Sequence, residues 1–432
     1  MFNLGIESFI KEKKWQGRLE KSRLAFLGHQ ASVSQSLQHS LDLISSHTPL
    51  KISCLIGPQH GFNSTQQANM ITTEDNPMGL YRSDLPMRIT IRKENSKGCY
   101  LAEPLKQDTS ANSISPFPIF SLYSNKNRRL TQEMLSHFDV LIVDLQDVGC
   151  RVYTYLTTLF YILEDCASAS KEVWILDRPN PAGRKREGSI LNKNFISFVG
   201  AAPLPMRHGL TLAEASKWYC SLKKLNIQLE IIKMQNYYPK KEPWPDGFAW
   251  VLPSPNMVDE ECARSYSGTV LLEGTKVSEA RGTVFPLKAF GFPEMKTKDI
   301  LKSMAKIAPQ WLTGCVLKEE FFQPVFDKFH NQICSAIRIY AQDPFYKEQD
   351  FHPYRLVSLF LKCLKKHHSD FDWIAPPPYE YEYEKLPIDI LSGDDFLRHW
   401  IEDHSASIME LEEKLSADEN LWQEQIKKHL LY

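Results

Sequence analysis

The apolar positions in the first half of the chain occur in short, nearly unbroken runs that lack helical spacing. Three of these runs end directly in polar residues: KISCLIG from Lys51, DVLIVDL from Asp139 and EVWILD from Glu172. Runs of this length and composition predict buried β-strands. Three further runs, RLAFLGH from Arg23, residues 119–122 and QLEIIKM from Gln228, extend the predicted set of strands.

Segments with helical spacing alternate with these strands. Apolar residues recur on one face of the predicted helices, which cover residues 6–14, 34–46, a segment from Thr131, residues 153–169 and a segment from Thr211 to about Leu222. Thr211 and Glu214 have the spacing of a capping box. Alternating β and α units predict an α/β fold with a Rossmann-like, doubly wound, mostly parallel sheet.

The regular pattern stops at two places, which suggests a division into domains. Residues 79–116 are charged, contain several serines and lack periodicity, so we expect a surface insertion there. A segment rich in proline and tryptophan, residues 239–255, reads as an interdomain connection. We therefore predict a Rossmann-like domain over residues 1–257 and a smaller α+β domain over 258–432, which completes a cleft. In the second domain we expect a strand from Cys334, helices over 354–366 and 410–431, and an extended segment from Pro376.

The composition and the missing motifs argue against several classes of function. With 51 Lys and Arg against 52 Asp and Glu, the net charge of −1 gives no general attraction to nucleic acid or acidic membranes. The nine cysteines form no C-x-x-C pair, and no apolar run is long enough to span a membrane, so we expect reduced thiols and a cytoplasmic location, with leaderless export as the alternative. The chain lacks the glycine-rich motifs of nucleotide sites and the G-x-S-x-G and H-E-x-x-H motifs. We expect neither a metal nor a cofactor.

Candidate chemistry lies where the predicted strands end, because ligands of open parallel sheets bind outside the carboxyl ends of the strands. The strand-end residues are Gln59, His60, Asp144, Gln146, Asp147, Asp177, Arg178 and Asn180. Loops elsewhere add Arg151, Tyr153, Tyr155, Arg207, His208, Glu273, Ser278, Glu279 and Arg281. Paired carboxylates suit hydrolysis of a glycosidic bond, and arginines suit acidic or hydroxylated substrates. Each of these residues also has a structural interpretation, as a helix cap, turn residue or ion pair.

Several long motifs, taken together, resemble the exo-β-N-acetylmuramidase NamZ family. The motifs are GPQHGF, DLQDVGCRVYTY, LDRPNPAG, LPMRHGLT, LLEGTKVSEARGT and the final LLY, and the resemblance runs from about Gly5 to Tyr432. It implies a glycoside hydrolase that releases N-acetylmuramic acid (MurNAc) from the non-reducing end of chains of MurNAc and N-acetylglucosamine (GlcNAc). It also implies a Rossmann-like domain, a smaller C-terminal domain and a site in the cleft between them.

The resemblance assigns roles to individual residues and marks departures. The catalytic set that it implies is Gln59, His60, Asp147, Glu273 and Glu279. The implied substrate-binding set is Asp144, Gln146, Arg151, Tyr153, Asp177, Arg178, Asn180, Arg207, His208, Ser278 and Arg281. The family has glutamate where this chain has Gln59, glycine at Ala280 and asparagine at His29. An amide has no titratable proton, so acid catalysis through position 59 should be lost or severely weakened.

Two rival functions stay open at this stage. Loss of the acid at position 59 would leave a protein that binds muropeptides without turnover. A nucleotide-dependent Rossmann enzyme would need a phosphate loop, and the turn after the first strand reads LGHQAS instead. A thermal shift with NAD or ATP would favour the second rival.

Overall fold

The computed structural model describes residues 2–62, 118–123, 127–376 and 382–432, and the backbone of residues 89–93 and 100–104. The strands are β1 (Leu24–Gly28), β2 (Ile52–Gly57), β3 (Ile89–Lys93), β4 (Tyr100–Pro104), β5 (Ile119–Ser121), β6 (Val140–Asp144), β7 (Glu172–Leu176), β8 (Leu229–Ile232), β9 (Ala289–Phe292), β10 (Val316–Phe322) and β11 (Cys334–Tyr340). The helices are α1 (Gly5–Lys11), α2 (Lys13–Leu19), α3 (Ser40–His47), α4 (Gln132–Ser136), α5 (Thr154–Ser168), α6 (Leu212–Lys223), α7 (Glu260–Thr269), α8 (Thr297–Ile307), α9 (Pro353–His367), α10 (Pro387–Ser392), α11 (Phe396–Glu402) and α12 (Ile408–Ile426).

The main sheet has six strands in the order β5-β2-β1-β6-β7-β8, and every neighbouring pair is parallel. This confirms the predicted doubly wound sheet. On one side of the sheet, β2 and then β5 follow β1 outward; on the other side, β6, β7 and β8 follow one another outward. The strand order therefore reverses between β1 and β6, which is where a binding crevice opens in such sheets.

The C-terminal part contains an antiparallel sheet in the order β10-β11-β9, together with helices α7 to α12. This confirms the predicted smaller α+β unit. One large apolar core, the first of several clusters, extends through both parts: it includes Phe160 and Trp218 from the first part and Phe290 and Trp422 from the second. The rings of Trp218 and Trp422 meet edge to face at 4.8 Å. The exact boundary after residue 257 stays a prediction.

The predicted connection and the predicted insertion both contain ordered structure that their composition did not indicate. In the predicted connection over residues 239–255, Trp244 and Phe248 stack at 4.7 Å and pack into a second apolar cluster with residues of β1, β6 and β7. Within the predicted insertion, β3 and β4 form an antiparallel pair. The remainder of residues 79–116 lies outside the described residues, as does part of the extended segment from Pro376.

Most predicted helices agree with the structure, and the differences have local causes. Thr211 and Glu214 form the predicted capping box of α6. The helix predicted over residues 34–46 begins only at Ser40, because the backbone N–H of Ser34 donates to the carbonyl of Gln38 and Leu37 takes a φ of 61°. Leu37 is consequently 49% exposed instead of facing the core. The helix predicted over residues 6–14 is divided into α1 and α2 at Glu12, whose backbone is extended.

The longest helix, α12, is strongly charged along its length. Among the residues that the structure describes, no helix combines the length and the apolarity needed to cross a bilayer.

Candidate active site

A buried histidine joins the two strands that border the crevice. His29 directly follows β1, and its Nε2 accepts the backbone N–H of Gln146 at 3.0 Å, just beyond the end of β6. The proton of the neutral ring is therefore on Nδ1, which lies 3.5 Å from the hydroxyl of Tyr155. That hydroxyl donates to the carbonyl of Pro253 at 2.7 Å. Burial lowers the pKa of His29 well below its ordinary value, so the ring positions its neighbours without carrying charge.

The end of β2 reaches the same crevice through Gln59. The hydroxyl of Thr154, at the first position of α5, donates to Gln59 Oε1. The carbonyl of Gln59 lies 3.4 Å from the hydroxyl of Tyr155. His60 follows in a turn with a φ of 71°, close enough to His29 for an electrostatic interaction between the two rings. The structure thus brings Gln59 and His60 together with the β1 and β6 ends.

Asp144 and Arg178 form a buried ion pair beneath the crevice. Arg178 Nη2 donates to Asp144 Oδ2 at 3.0 Å and to the carbonyl of Val33 at 2.8 Å, while its Nε donates to Asp144 Oδ1. Arg178 Nη1 is buried and has no hydrogen-bond partner among the described residues. Both oxygens of Asp144 are occupied, so this pair ties β6 to the loop after β7.

Asp147 differs from its neighbours because one of its carboxylate oxygens is not engaged. Oδ2 accepts the backbone N–H of Gly149 at 2.7 Å and lies 3.6 Å from His208 Nε2, whereas Oδ1 has no partner among the described residues. His208 Nδ1 accepts the backbone N–H of Leu210 at 3.2 Å, which puts the proton of its neutral form on Nε2, facing Asp147. The side-chain nitrogen of Gln146 donates to the carbonyls of Asp147 and Pro179. Asp147 is therefore an oriented carboxylate with one buried oxygen that has no partner among the described residues.

The polar atoms at the end of β7 bind the protein's own chain. Asp177 accepts hydrogen bonds from the Thr211 hydroxyl at 2.8 Å, the Ala213 backbone at 3.2 Å and the Tyr432 hydroxyl at 2.9 Å. The side chain of Asn180 bonds two backbone groups, at 2.9 and 3.0 Å, and shapes the turn after Arg178. Through these contacts, Asp177 and Asn180 anchor α6 and the loop before it.

Replacing Asp177 with asparagine is expected to flatten the dependence of stability on pH. Burial, and secondly the charge of Glu214, raise the pKa of Asp177 to about 7. Because this is above the unfolded value of about 4, its contribution is complete below pH ~4 and is lost as the pH rises through about 7. The wild-type midpoint of thermal unfolding should therefore fall between these pH values more steeply than that of Asp177→Asn.

Asp139 provides the control for this titration. The side-chain hydrogen bond from Arg23 lowers the pKa of Asp139 to about 2. The contribution of Asp139 to stability therefore has the opposite sign, and it changes at lower pH values than that of Asp177. Asp139→Asn should leave the slope between pH ~4 and ~7 unchanged. Equal slopes for wild type and Asp177→Asn would contradict the assignment.

Two predicted substrate-binding arginines are buried away from the crevice. Arg151 donates to the carbonyls of Ser189, Leu204 and Leu391 at 2.7 to 2.9 Å. Arg207 donates to the carbonyls of Ala182 and, at 3.4 Å, Phe351. Each guanidinium thus joins loops of the N-terminal part to the C-terminal part. The structure does not bring either one to the crevice.

A second cluster of charged side chains lies in the loop of residues 272–283. Arg281 contacts Glu273 at 2.5 Å and Glu279 at 3.0 Å, and Lys328 contacts the other oxygen of Glu279 at 2.9 Å. Burial opposes the ionisation of Glu279, but Lys328 and Arg281 outweigh it and lower the pKa of Glu279. The hydroxyl oxygen of Ser278 accepts the backbone N–H two residues later at 3.2 Å. This cluster presents carboxylates and a fixed guanidinium.

Tyrosines connect the two groups of residues. The ring of Tyr153 lies 4.8 Å from that of Tyr155 and 6.1 Å from that of Tyr266 on α7. Burial raises the pKa of Tyr266 well above its ordinary value, and Glu273 is the next largest cause. The crevice residues and the 272–283 loop are therefore neighbours across these rings. Tyr266 and Lys328 were not identified from the sequence, since a helical tyrosine and a loop lysine have many structural roles.

The described part of the chain shows no grouping of three or more His, Cys, Asp or Glu side chains that could hold a metal ion. Its eight described cysteines are free thiols. What the crevice offers instead is one oriented carboxylate, neutral histidine and amide groups, and an arginine between two glutamates. Such a set suits a polyhydroxylated ligand that carries a carboxylate.

Comparisons with known proteins find the same family in both parts of the chain. The family described as Exo-beta-N-acetylmuramidase NamZ, N-terminal, matches residues 24–84 and 100–261, and its C-terminal counterpart matches residues 264–432. The chain is 28% identical over 430 residues to Peptidoglycan beta-N-acetylmuramidase NamZ of Bacillus subtilis (strain 168), covering 99% of this chain and 91% of that protein.

Crystal structures of two DUF1343 family proteins from Bacteroides fragilis NCTC 9343 have the same fold. Their TM-scores are 0.76 and 0.67, with 21% and 23% identity, and each comparison covers 100% of this chain and 99% of the other. The two family matches together span both parts of the fold described above. The chain belongs to the exo-β-N-acetylmuramidase NamZ family.

Proposed function

We propose that this protein is a glycoside hydrolase that releases MurNAc from the non-reducing end of peptidoglycan fragments such as MurNAc-GlcNAc. The main support is that both NamZ family matches contribute polar side chains to one neighbourhood. Asp147, His60 and Gln59 come from the N-terminal match, and Glu273, Glu279 and Arg281 from the C-terminal match. The similarity to a peptidoglycan β-N-acetylmuramidase gives the substrate class.

Within this proposal the carboxylates have different tasks. In hydrolysis of a glycosidic bond, a carboxylate attacks C1 or activates water, and a proton donor speeds departure of the leaving oxygen. With Gln59 in the position of that donor, water supplies the proton here, which makes the reaction slow. Asp147 is our candidate for the carboxylate, because its Oδ1 is not engaged while Gly149 and His208 fix the rest of the group. Arg281 is our candidate for holding the lactyl carboxylate of MurNAc. Glu273 and Glu279 orient that arginine.

Cytoplasmic action on recycled cell-wall sugars is the setting that we propose. Free thiols at all the described cysteines support a reducing compartment. Fractionation of the native host cell, followed by immunodetection, would test this location.

The rival proposal is a protein that binds muropeptides without hydrolysing them. It is favoured by Gln59, whose side-chain oxygen accepts a hydrogen bond from Thr154 and whose amide cannot act as an acid. Calorimetry with MurNAc-GlcNAc and an assay of MurNAc release from the same disaccharide, whose leaving group needs a proton, separate the two. We expect binding together with release of MurNAc. Binding with no release across the acid to mildly alkaline range would favour the rival.

A further inference from the structure

We propose that Lys328 is a positioning residue that holds the 272–283 loop in the conformation in which Arg281 can receive an anionic substrate group. This inference rests on the proposed function, since the loop supplies the proposed substrate contacts. Lys328 comes from the connection between β10 and β11, a part of the chain that carries none of the candidate site residues.

The Lys328 ammonium makes three hydrogen bonds, all to the same loop. It donates to the carbonyl of Leu272 at 2.9 Å, to the carbonyl of Val277 at 3.0 Å and to Glu279 Oε2 at 2.9 Å. An ammonium has three donors, so every one of them is used. The two carbonyls belong to the peptide groups that precede Glu273 and Ser278. One side chain therefore fixes the backbone beside two candidate residues and contacts a third directly.

The charge of Lys328 also determines how Arg281 is shared between its two glutamates. Glu279 divides its oxygens between Lys328 and Arg281, while Arg281 also contacts Glu273. Without Lys328, the second oxygen of Glu279 would lose this donor while it stays buried, which is costly for a carboxylate. We therefore expect Arg281 to move toward Glu279 and away from its present position.

Backbone contacts hold the connection between β10 and β11 tightly against the 272–283 loop. The backbone N–H of Val325 donates to the carbonyl of Gly282 at 2.9 Å. Gly282 has a φ of 78°, and a Cβ there would lie 2.6 Å from the carbonyl oxygen of Phe326. The residues around Lys328 thus approach the 272–283 loop so closely that only glycine fits. Lys328 adds its three directed bonds at this docked surface.

The test compares Lys328→Met with Lys328→Arg and with the control Lys318→Met in the full chain. Lys318 lies on β10 and pairs with Glu320 at the surface, away from the 272–283 loop, so its loss should change nothing at the site. Lys328→Met should raise KM for MurNAc-GlcNAc about tenfold while kcat changes far less, because a substrate contact is displaced. Lys328→Arg should recover part of this loss, since it keeps the charge but cannot reproduce three convergent bonds. An unchanged KM in Lys328→Met would overturn the proposal.

A measurement without sugar separates this inference from the proposed function. Hydrogen–deuterium exchange at the amides of residues 272–283 should be faster in Lys328→Met than in Lys318→Met, with little change elsewhere. If exchange rises but the wild type neither binds nor cleaves MurNAc-GlcNAc, the positioning role stands and the proposed substrate is wrong. If exchange in this loop is unchanged, Lys328 does not position it, whatever the activity of the wild type.

Discussion

Replacing Gln59 with glutamate is expected to raise the rate of MurNAc-GlcNAc hydrolysis by about two to four orders of magnitude. This is the usual contribution of a well-placed general acid to a reaction whose leaving group needs a proton. Gln59 lies at the crevice between β1 and β6, where Thr154 fixes its side chain and Tyr155 lies 3.4 Å from its carbonyl. A glutamate in the same conformation would bring a titratable proton to that place. The measurement is kcat/KM for release of MurNAc from the disaccharide.

The nature of the leaving group provides the control for this prediction. In a β-MurNAc glycoside of 4-nitrophenol, the 4-nitrophenolate group leaves without protonation. Gln59→Glu should therefore change the hydrolysis of this glycoside only slightly. Gln132→Glu, at the start of α4, adds the same charge elsewhere and should leave both substrates unaffected. Equal gains on the two substrates, or activity on the disaccharide that is already high and barely altered, would show that position 59 is not the acid.

Replacing Asp144 with alanine is expected to lower the free energy of unfolding by about 3–5 kcal/mol, the usual cost of removing one partner from a buried ion pair. Arg178 would be left charged and buried, with Val33 as its remaining hydrogen-bond partner and Nη1 still without one among the described residues. The loss should be seen as a lower midpoint in urea unfolding with an unchanged slope.

An exposed ion pair at the other end of β6 gives a matched control. Asp139 precedes β6 and pairs with Arg23, which precedes β1, but about half of each side chain is exposed. Asp139→Ala should therefore be much less destabilising than Asp144→Ala, because solvent screens the pair and hydrates the arginine that is left. The double variant Asp144→Leu with Arg178→Met should recover much of the loss, since no buried charge is then left unpaired. Similar losses for Asp139→Ala and Asp144→Ala would contradict the assignment.

The features that local sequence patterns determine were predictable. Continuous apolar runs identified all six strands of the parallel sheet, and the spacing of Thr211 and Glu214 identified the start of α6. These features depend on periodicity and on hydrogen bonds between residues close in sequence. The position of the binding site at the strand ends stays a prediction, which rests on the rule that ligands of doubly wound sheets bind where the strand order reverses.

The tasks of individual polar residues were not predictable, because they depend on partners far away in sequence. Arg151, Arg207 and Asp177 resemble binding residues in sequence, yet their donors and acceptors lie on backbone or on residues such as Tyr432. Asp147 occurs in the same kind of strand-end motif but keeps one oxygen without a partner among the described residues. Lys328 lies 49 residues after Glu279, and no local pattern links the two.

The most direct test of the proposed function is the identity of the sugar that the wild-type protein releases. Purified protein would be incubated with two matched peptidoglycan fragments, one with MurNAc and one with GlcNAc at the non-reducing end, and products identified by mass spectrometry. We predict free MurNAc from the first fragment, at a slow rate because of Gln59, and no free sugar from the second. Absence of MurNAc from the first fragment, or equal release of sugar from both, would contradict an exo-acting hydrolase of MurNAc.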